Sequence, residues 1–390
     1  MRASLAQRTD RAAIILAAGA CRRMGQSKPL MVLGGETVLK RVVRLYREAG
    51  LTDIRVITGF GSEAIQGALD ACPVAVIHNP AHEAGMFTSV LAGVNTLSAA
   101  IGSFFIHPVD IPLVRPHTLT RLMERFDEGP STVIYPVFDG QRGHPPLIHA
   151  ALKQAMVQHD GRGGLRALLK QFERTAQEVP VADGGVLLDM DTPEDWQHLC
   201  TRWEAAAVLT EDECRVLMEQ VQELPPALIE HCRLVAEVAG ALANAVAQQT
   251  ALDIPLIQAA ARVHDLARQQ DNHAAAAASL LKQMGFAAMA AIVAVHMDMP
   301  VCQDGPLDEA QIVFLADKLV AGNRVARLER RFDEKLKNLG ADPTTAAAIT
   351  RRRDTAVMIQ HKVERACGVS VERILARAGI VGRGHACDRP

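Results

Sequence analysis

The sequence predicts an α/β fold, a mostly parallel sheet with helices on both faces, followed by a separate all-α domain. Two observations carry this. Between Ala12 and about Trp203, short apolar runs alternate with helical stretches, the order that right-handed βαβ crossovers produce. Between Thr210 and about Gly379, alanine-rich amphipathic helices follow one another with no convincing strand. The expected domains are residues 1–207 and 208–380, and residues 381–390, with Gly382 and Gly384, read as a loose tail.

The first strand is the apolar run from Ala12 to Leu16. It stops at a turn containing Gly19 and Gly25, which let backbone N–H groups approach an anion, and the turn also supplies Arg22, Arg23 and Lys28. Such a loop can cradle a polyphosphate. It reads equally as an ordinary strand-to-helix turn with solvated arginines. Two common phosphate loops do not fit: GxxxxGK[ST] would need lysine where Gln26 stands, and GxGxxG is absent. Further strands are expected at residues 54–58, 74–77, 103–106, 132–136 and 186–188, and helices at 38–48, 86–97, 117–126 and 163–172. Ligands gather at the carboxyl ends of the strands in such sheets, where this turn lies. In the second half Pro225-Pro226 and Pro255 open helices, because proline is tolerated in a first turn, and Asp342-Pro343 marks a boundary.

Composition excludes several classes. A formal net charge of −2 and an aromatic content of 4% give no basis for a nucleic-acid surface. The eight cysteines are scattered without a CxxC pair, which speaks against a disulfide framework or a zinc–cysteine site and fits a reducing cytoplasm. The beginning loosely imitates a lipoprotein signal, with arginines, a small apolar run and then Ala-Gly-Ala-Cys21. Asp10 in the charged region and the shortness of the run weigh against that. No apolar stretch approaches the roughly 18 residues that cross a bilayer, so no membrane partner is expected.

Two carboxylate segments stand out in the first domain. Phe104-Phe-Ile-His-Pro-Val-Asp110 closes a buried strand with a carboxylate at its carboxyl end. There it can hold Mg2+ against triphosphate oxygens, since this ion takes few protein carboxylates and keeps other positions for phosphate and water. Leu188-Asp-Met-Asp191-Thr-Pro puts carboxylates before a helix opening at Pro193, and Asp191 or Thr192 could simply cap that helix. His144, between Gly143 and Pro145, reads on its own as a surface-loop histidine.

The opening turn fills every fixed position of LAAGxxxRMGxxK, with Leu16, Ala17, Ala18, Gly19, Arg23, Met24, Gly25 and Lys28. This resembles the signature of the MobA-like nucleotidyltransferases, which include the molybdenum cofactor cytidylyltransferases and guanylyltransferases, and the likeness extends from Ala12 to Trp203. It implies a Rossmann-like nucleotidyltransferase fold with those eight positions on the nucleotide. Arg23 and Lys28 would hold the β and γ phosphates, Asp110 would be the principal Mg2+ ligand and Asp191 the second. The family's usual GDQP reads Val109-Asp110-Ile-Pro here. Asn79-Pro through Gly85-Met-Phe-Thr-Ser89 is similar to the family's NP…GMxxS stretch, and Arg142-Gly-His144-Pro resembles its RGHP motif. The resemblance thereby implies an acceptor cleft at Asn79, Gly85, Ser89, Arg142 and His144. Ala17-Ala18-Gly19 looks like the cytidine-using members. The implied reaction is Mg2+-dependent transfer from an NTP, CTP by this likeness, to a phosphorylated acceptor such as molybdopterin, with pyrophosphate released and a molybdoenzyme as recipient of the cofactor. A rival reading, transfer to a sugar or alcohol phosphate, has the RGHP segment against it.

In the helical domain His264-Asp265 is expected as an adjacent pair on a helix, with His231 before it and His273, His296 and Asp317 after it. The histidines fall on apolar faces: His231 with Leu228, Val235 and Val238, His264 with Ile257 and Ala260, His296 with Met289, Ile292 and Val293. A lone inward histidine is usually a hydrogen-bonded core residue. Asp317, however, stands in Ile312-Val-Phe-Leu-Ala-Asp-Lys-Leu-Val320, where an unpaired carboxylate is costly. Several buried polar groups on separate helices need a common partner, and a divalent metal supplies one. The order H…HD…H…H…D resembles the HD phosphohydrolase superfamily. It implies His231, His264, Asp265 and Asp317 as core ligands, His273 and His296 as the extra pair of two-metal members, and Asp265 as catalytic bridge. The histidine-rich set suits a transition metal such as Mn or Fe, which activates water against a phosphate ester or anhydride. The alternative is a nucleotide-sensing module without turnover.

Overall fold

Ala12, Ile14 and Leu16 point to one side of the first strand and Ala13, Ile15 and Ala17 to the other, and each is 7% exposed or less. A strand buried on both faces must sit inside a sheet covered twice, and it does so in the computed structural model, which describes residues 8–19, 25–70, 72–300, 305–337 and 343–380. Arg22, Arg23 and Met24 of the opening turn and the expected tail lie outside the described residues. The chain divides into two compact units, Met1–Ala206 and Ala207–Pro390.

The strands of the first unit are β1 (Arg8–Ala17), β2 (Val32–Leu33), β3 (Glu36–Thr37), β4 (Leu51–Thr58), β5 (Ala75–His78), β6 (Ser103–Pro108), β7 (Val133–Phe138), β8 (Gln141–Arg142), β9 (Leu147–His149) and β10 (Ala176–Pro180). The main sheet runs β10-β7-β9-β6-β1-β4-β5 with β8 added to β7, while β2 and β3 form a separate ribbon. β1 pairs in parallel with β4 and β6, as do β4 with β5 and β7 with β10. Among the described residues, β9, antiparallel to both β6 and β7, and β8 interrupt this order.

The helices are α1 (Val38–Glu48), α2 (Ser62–Leu69), α3 (Met86–Val94), α4 (Pro116–Asp127), α5 (Lys153–Gln158), α6 (Gly164–Lys170) and α7 (Pro193–Glu204). α1, α2, α4 and α7 share a core with Ala13, Ile15 and Ala17, whereas α3, α5 and α6 share the other with Ala12, Ile14 and Leu16. α7 is tied at its far end by Trp203. Arg41 stacks 3.6 Å from the indole ring centre, and Gly34 lies so close that an added Cβ would stand 2.1 Å from indole Nε1.

The expected strand at 186–188 is instead part of a 3-10 turn, Gly184–Leu187. Val186 is wholly buried because Gly143 packs on it and the His144 N–H donates to its carbonyl at 2.9 Å. Its apolarity reflects that plug and not a pleat. β9 escaped the sequence pattern because it has three residues beside Pro145 and Pro146.

The second unit comprises α8 (Glu211–Val216), α9 (Pro226–Val246), α10 (Ile254–Arg262), α11 (His273–Gln283), α12 (Ala287–Ala294), α13 (Glu309–Leu319), α14 (Leu328–Lys337), α15 (Pro343–Cys367) and α16 (Val371–Arg377). α13 is buried from Gln311 to Leu319, all round, because it packs against α9, α10, α12 and α15. Among the described residues the only strands here are the two-residue β11 (Val320–Ala321) and β12 (Arg324–Val325), a ribbon too short to leave a period in the sequence. No described helix is long and apolar enough to cross a membrane.

The contact between α3 and β1 runs through Gly93, where an added Cβ would meet Ile14 Cγ2 at 2.5 Å. Gly93→Ala is expected to lower stability by about 1–3 kcal/mol through overpacking, read as a lower denaturant midpoint at unchanged slope.

Candidate functional site

At the carboxyl edge of the sheet, Asp110 follows β6 by two residues, and Asp191 precedes α7. Lys28 lies between them, with Nζ 3.2 Å from Asp110 Oδ2 and 2.5 Å from Asp191 Oδ1. Residues 82 and 163 positions away along the chain are thus gathered on one ammonium. Burial works against the Lys28 charge, but Asp191 and Asp110 together hold its pKa above the ordinary value. Asp189 joins this group: burial, then the Asp191 and Asp110 charges, raise its carboxyl pKa. Crowded carboxylates of this kind are relieved by a cation with more than one charge.

The helix-cap ambiguity is resolved by geometry. Thr192 Oγ1 accepts from the Asp195 N–H at 3.2 Å, and Asp195 Oδ2 accepts from the Thr192 N–H at 2.8 Å, a reciprocal capping box. Thr192, not Asp191, caps α7.

Around this point Ala18 accepts from the Phe60 N–H, and Gly25 has φ of +64°, a left-handed conformation that favours glycine. Burial pushes the His144 pKa down, and the Asp110 charge opposes this. Asn79 and Ser89 are both 3% exposed and bonded to each other, Nδ2 to Oγ at 2.9 Å, with Asn79 also donating to Thr88. They brace the loop through Gly85, whose φ of +111° likewise favours glycine, from within. Arg142 is engaged differently. Its guanidinium bonds Glu173 and Glu178 and lies 4.5 Å from the Tyr135 ring centre.

In the second unit the six expected residues converge, though not as expected for one pair. His264 and Asp265 lie in turns beyond the end of α10, not on a helix. Adjacent helical residues would point about 100° apart, so leaving the helix is what lets both face one centre. His231 comes from α9, His273 from the start of α11, His296 from just past α12 and Asp317 from α13. His231, His264 and Asp265 form one group able to hold a metal ion, and Asp265, His273 and His296 form another. Asp265 is common to both. Its Oδ2 is 3.6 Å from His264 Nε2, and its Oδ1 is 3.3 and 3.4 Å from the Nε2 atoms of His273 and His296. Asp317 Oδ1 is 3.5 Å from His231 Nε2 and 3.7 Å from His264 Nε2.

Proton placement tests whether a metal fits. Nδ1 of His231, His264 and His296 lies 2.7–2.8 Å from the carbonyls of Gly322, Ala261 and Val293, and a carbonyl only accepts, so Nδ1 carries the hydrogen. In the neutral rings the Nε2 lone pairs then face carboxylate oxygens, and the buried Nε2 atoms of His264 and His296 have no hydrogen-bond partner among the described residues. Either a second proton or a metal ion resolves that conflict. Burial lowers the pKa of both His273 and His296, so on that side the proton is disfavoured and the metal is the better answer. At His264, by contrast, burial is outweighed by Cys232, Asp317 and Asp265, which hold its pKa well above the ordinary value and favour the second proton. Burial alone would raise the Asp317 carboxyl, but Lys318, His231 and His264 hold it far below the usual range, in the ionised form a metal needs.

Sequence reasoning missed the cations flanking these groups. Lys318 is 3% exposed and donates to Asp317 Oδ2 at 2.5 Å and to the His296 carbonyl at 3.0 Å. Arg331 donates to the Asp317 carbonyl, and Arg268 lies 3.3 Å from both Asp265 oxygens. Two signals were available: a buried carboxylate beside lysine in an apolar run, and arginine three residues beyond Asp265.

The family model for the MobA-like NTP transferase domain matches residues 13–179, and the one for the HD domain matches residues 228–322. The molybdenum cofactor cytidylyltransferase of Escherichia coli (strain K12) is 27% identical over 184 residues, 47% of this chain and 92% of that protein. A protein of Rubrobacter xylanophilus named bifunctional IPC transferase and DIPP synthase is 41% identical over 91 residues, and bifunctional protein GlmU of Chromohalobacter salexigens 29% over 140 residues. These matches take in 22% and 35% of this chain, and the chain spans only 21% and 30% of the two relatives. Among solved structures, Rv0371c from Mycobacterium tuberculosis H37Rv aligns with 50% of this chain and 98% of its own, at 23% identity and a TM-score of 0.45.

Thr192→Ala is expected to destabilise the first unit by about 1 kcal/mol, and Asp191→Asn to change it by less than about 0.5 kcal/mol, in thermal or denaturant unfolding. Equal losses in the two variants would return Asp191 to the cap.

Proposed function

From a chain that joins a MobA-like NTP transferase domain to an HD domain, a phosphohydrolase family, we propose a bifunctional enzyme. The first domain transfers the nucleotidyl group of CTP to a phosphorylated acceptor of the molybdopterin class and releases pyrophosphate. The second hydrolyses a phosphate ester or anhydride. The observation that carries the first half is the meeting of Asp110, Asp191 and Lys28 at the carboxyl edge of the sheet, with α7 capped by another residue.

In the transfer, an oxygen of the acceptor phosphate forms a bond to the α-phosphorus as the bond from that phosphorus to the β-phosphate oxygen breaks, and the electron pair leaves with pyrophosphate. Such chemistry is mostly positioning and neutralisation of charge. Asp110 and Asp191 would hold Mg2+, which neutralises phosphate oxygens when bound. Lys28, a point charge on a flexible stem, would turn from the carboxylates to the β and γ phosphates, and Arg23 would join it. His144, whose pKa burial lowers against the pull of the Asp110 charge, would line the acceptor side. Asn79, Gly85 and Ser89 would shape that side as a braced loop. The choice of CTP rests on Ala17-Ala18-Gly19 and on the E. coli relative.

For the second half, His231, His264, Asp265 and Asp317 would hold one divalent metal, Mn or Fe, and His273 and His296 with Asp265 a second. Such metals activate water for attack on phosphorus. The carbonyls of Gly322, Ala261 and Val293 fix the ring orientations, and Lys318 keeps Asp317 ionised and aimed.

One feature favours a second acceptor class. Arg142 is tied to Glu173 and Glu178, so transfer to a sugar or alcohol phosphate is the competing reading. Pyrophosphate release measured with molybdopterin against simple sugar and polyol phosphates decides between them.

Asp110→Ala is expected to lower CTP-dependent pyrophosphate release by at least about a thousandfold, consistent with loss of a charge-stabilising group, while phosphate release by the second domain is unchanged. Unimpaired pyrophosphate release would remove Asp110 from the reaction. His264→Ala is expected to strip metal from the protein by elemental analysis, and full retained stoichiometry would refute the ligand set.

A further inference from the structure

The turn that carries Asp110 is braced from inside the core. His107, the next-to-last residue of β6, is 0% exposed, and its Nε2 lies 2.8 Å from the Ile111 carbonyl. That carbonyl accepts, so Nε2 carries the hydrogen and Nδ1 is left as an acceptor. Tyr46 of α1 donates its hydroxyl to Nδ1 at 2.9 Å. Tyr46 is also 0% exposed, its ring edge-on to His107 and 5.5 Å from Phe105. Burial pushes the His107 pKa down to about 4, so the ring is neutral with both nitrogens in use.

The bond from His107 to Ile111 spans the residues between them, Asp110 included. Two backbone bonds complete the frame: Val109 N–H donates to the Leu16 carbonyl of β1 at 3.1 Å, and Ile111 N–H to the Pro108 carbonyl at 3.2 Å. One tautomer of one buried side chain therefore connects α1, the end of β6 and the far side of the Asp110 turn. A hydrogen-bonded pair with no exposure has few alternative arrangements, because any rotation of the imidazole leaves a buried donor or acceptor unmade.

We propose that His107 is a positioning residue for Asp110: held by Tyr46, it fixes from within the core where the Asp110 carboxylate stands relative to Lys28. This rests on the reading of Asp110 as a cation ligand. His107 touches neither nucleotide nor metal in this role. It acts through the turn.

The test uses the full chain and reads the Mg2+ concentration that gives half-maximal CTP binding, counting only the calorimetric signal that Asp110→Ala removes. Thermal unfolding is followed in parallel. His107→Leu leaves the Tyr46 hydroxyl and the Ile111 carbonyl unmade and is expected to raise the Mg2+ half-point by about tenfold. His107→Gln, which supplies a donor and an acceptor, is expected to bring it back to within about threefold. Tyr46→Phe is expected to raise it by about threefold with the fold intact, and it decides the matter if His107→Leu does not fold. A half-point unchanged within about twofold in the folded His107→Leu, or in Tyr46→Phe where that variant must decide, overturns the bracing role, even if the melting temperature falls. If Asp110→Ala itself leaves Mg2+-dependent CTP binding intact, the reading of the first site fails and the bracing role falls with it. Loss in Asp110→Ala without change in His107→Leu overturns the bracing role alone.

Discussion

Carboxylates gathered side by side at the edge of a packed core are the constraint on which both units depend. In the first, Asp110, Asp189 and Asp191 are crowded together, and burial, then the two neighbouring charges, raise the Asp189 pKa. In the second, the His296 imidazole, its pKa lowered by burial, turns Nε2 toward Asp265 Oδ1 at 3.4 Å. Each is sustained by the packing around it: the doubly covered sheet below Asp110, and the wholly buried α13 behind Asp317. What a core holds in an unfavourable juxtaposition, a cation converts into a favourable one, and the binding energy of that cation becomes stability of the bound state.

The two sites use different means of orientation. Around Asp110 orientation is shared between backbone turn bonds from Val109 and Ile111, the buried His107 beneath the turn, and the capping box that starts α7. Around Asp265 the side chains are oriented one at a time, each imidazole by its own carbonyl and Asp317 by Lys318. The first suits chemistry in which substrates bring most of the polar groups. The second suits a site whose polar groups come almost entirely from the protein.

Much of the architecture was legible because burial on two faces and burial on one stripe leave different periods. β1, β4 and β6 each show an apolar stretch rich in isoleucine, valine or phenylalanine, and α1 and α4 show as amphipathic helices. Residues 186–188 misled because a plug beneath a loop needs the same apolar side chains as a strand. β9 was invisible because three residues beside two prolines carry no alternation. Of the candidate sites, residue types could be named from motifs, but their working states could not. Only coordinates show that Thr192 takes the cap, that Asn79 and Ser89 satisfy each other, that Arg142 is held by two glutamates, and that His264 and Asp265 have left the helix. Each of these depends on a partner far away in sequence, which no local pattern encodes.

α7 is held at both ends. Its first residues are fixed by the capping box beside Asp191, and its last turn is wedged by Trp203 between Arg41 and the tight Gly34 corner of the β2–β3 ribbon. With 12 residues it is a rod about 18 Å long, stiff along its axis. The exposed corner at Gly34 and the chain beside Asp191 are thereby joined through one short helix anchored at both ends.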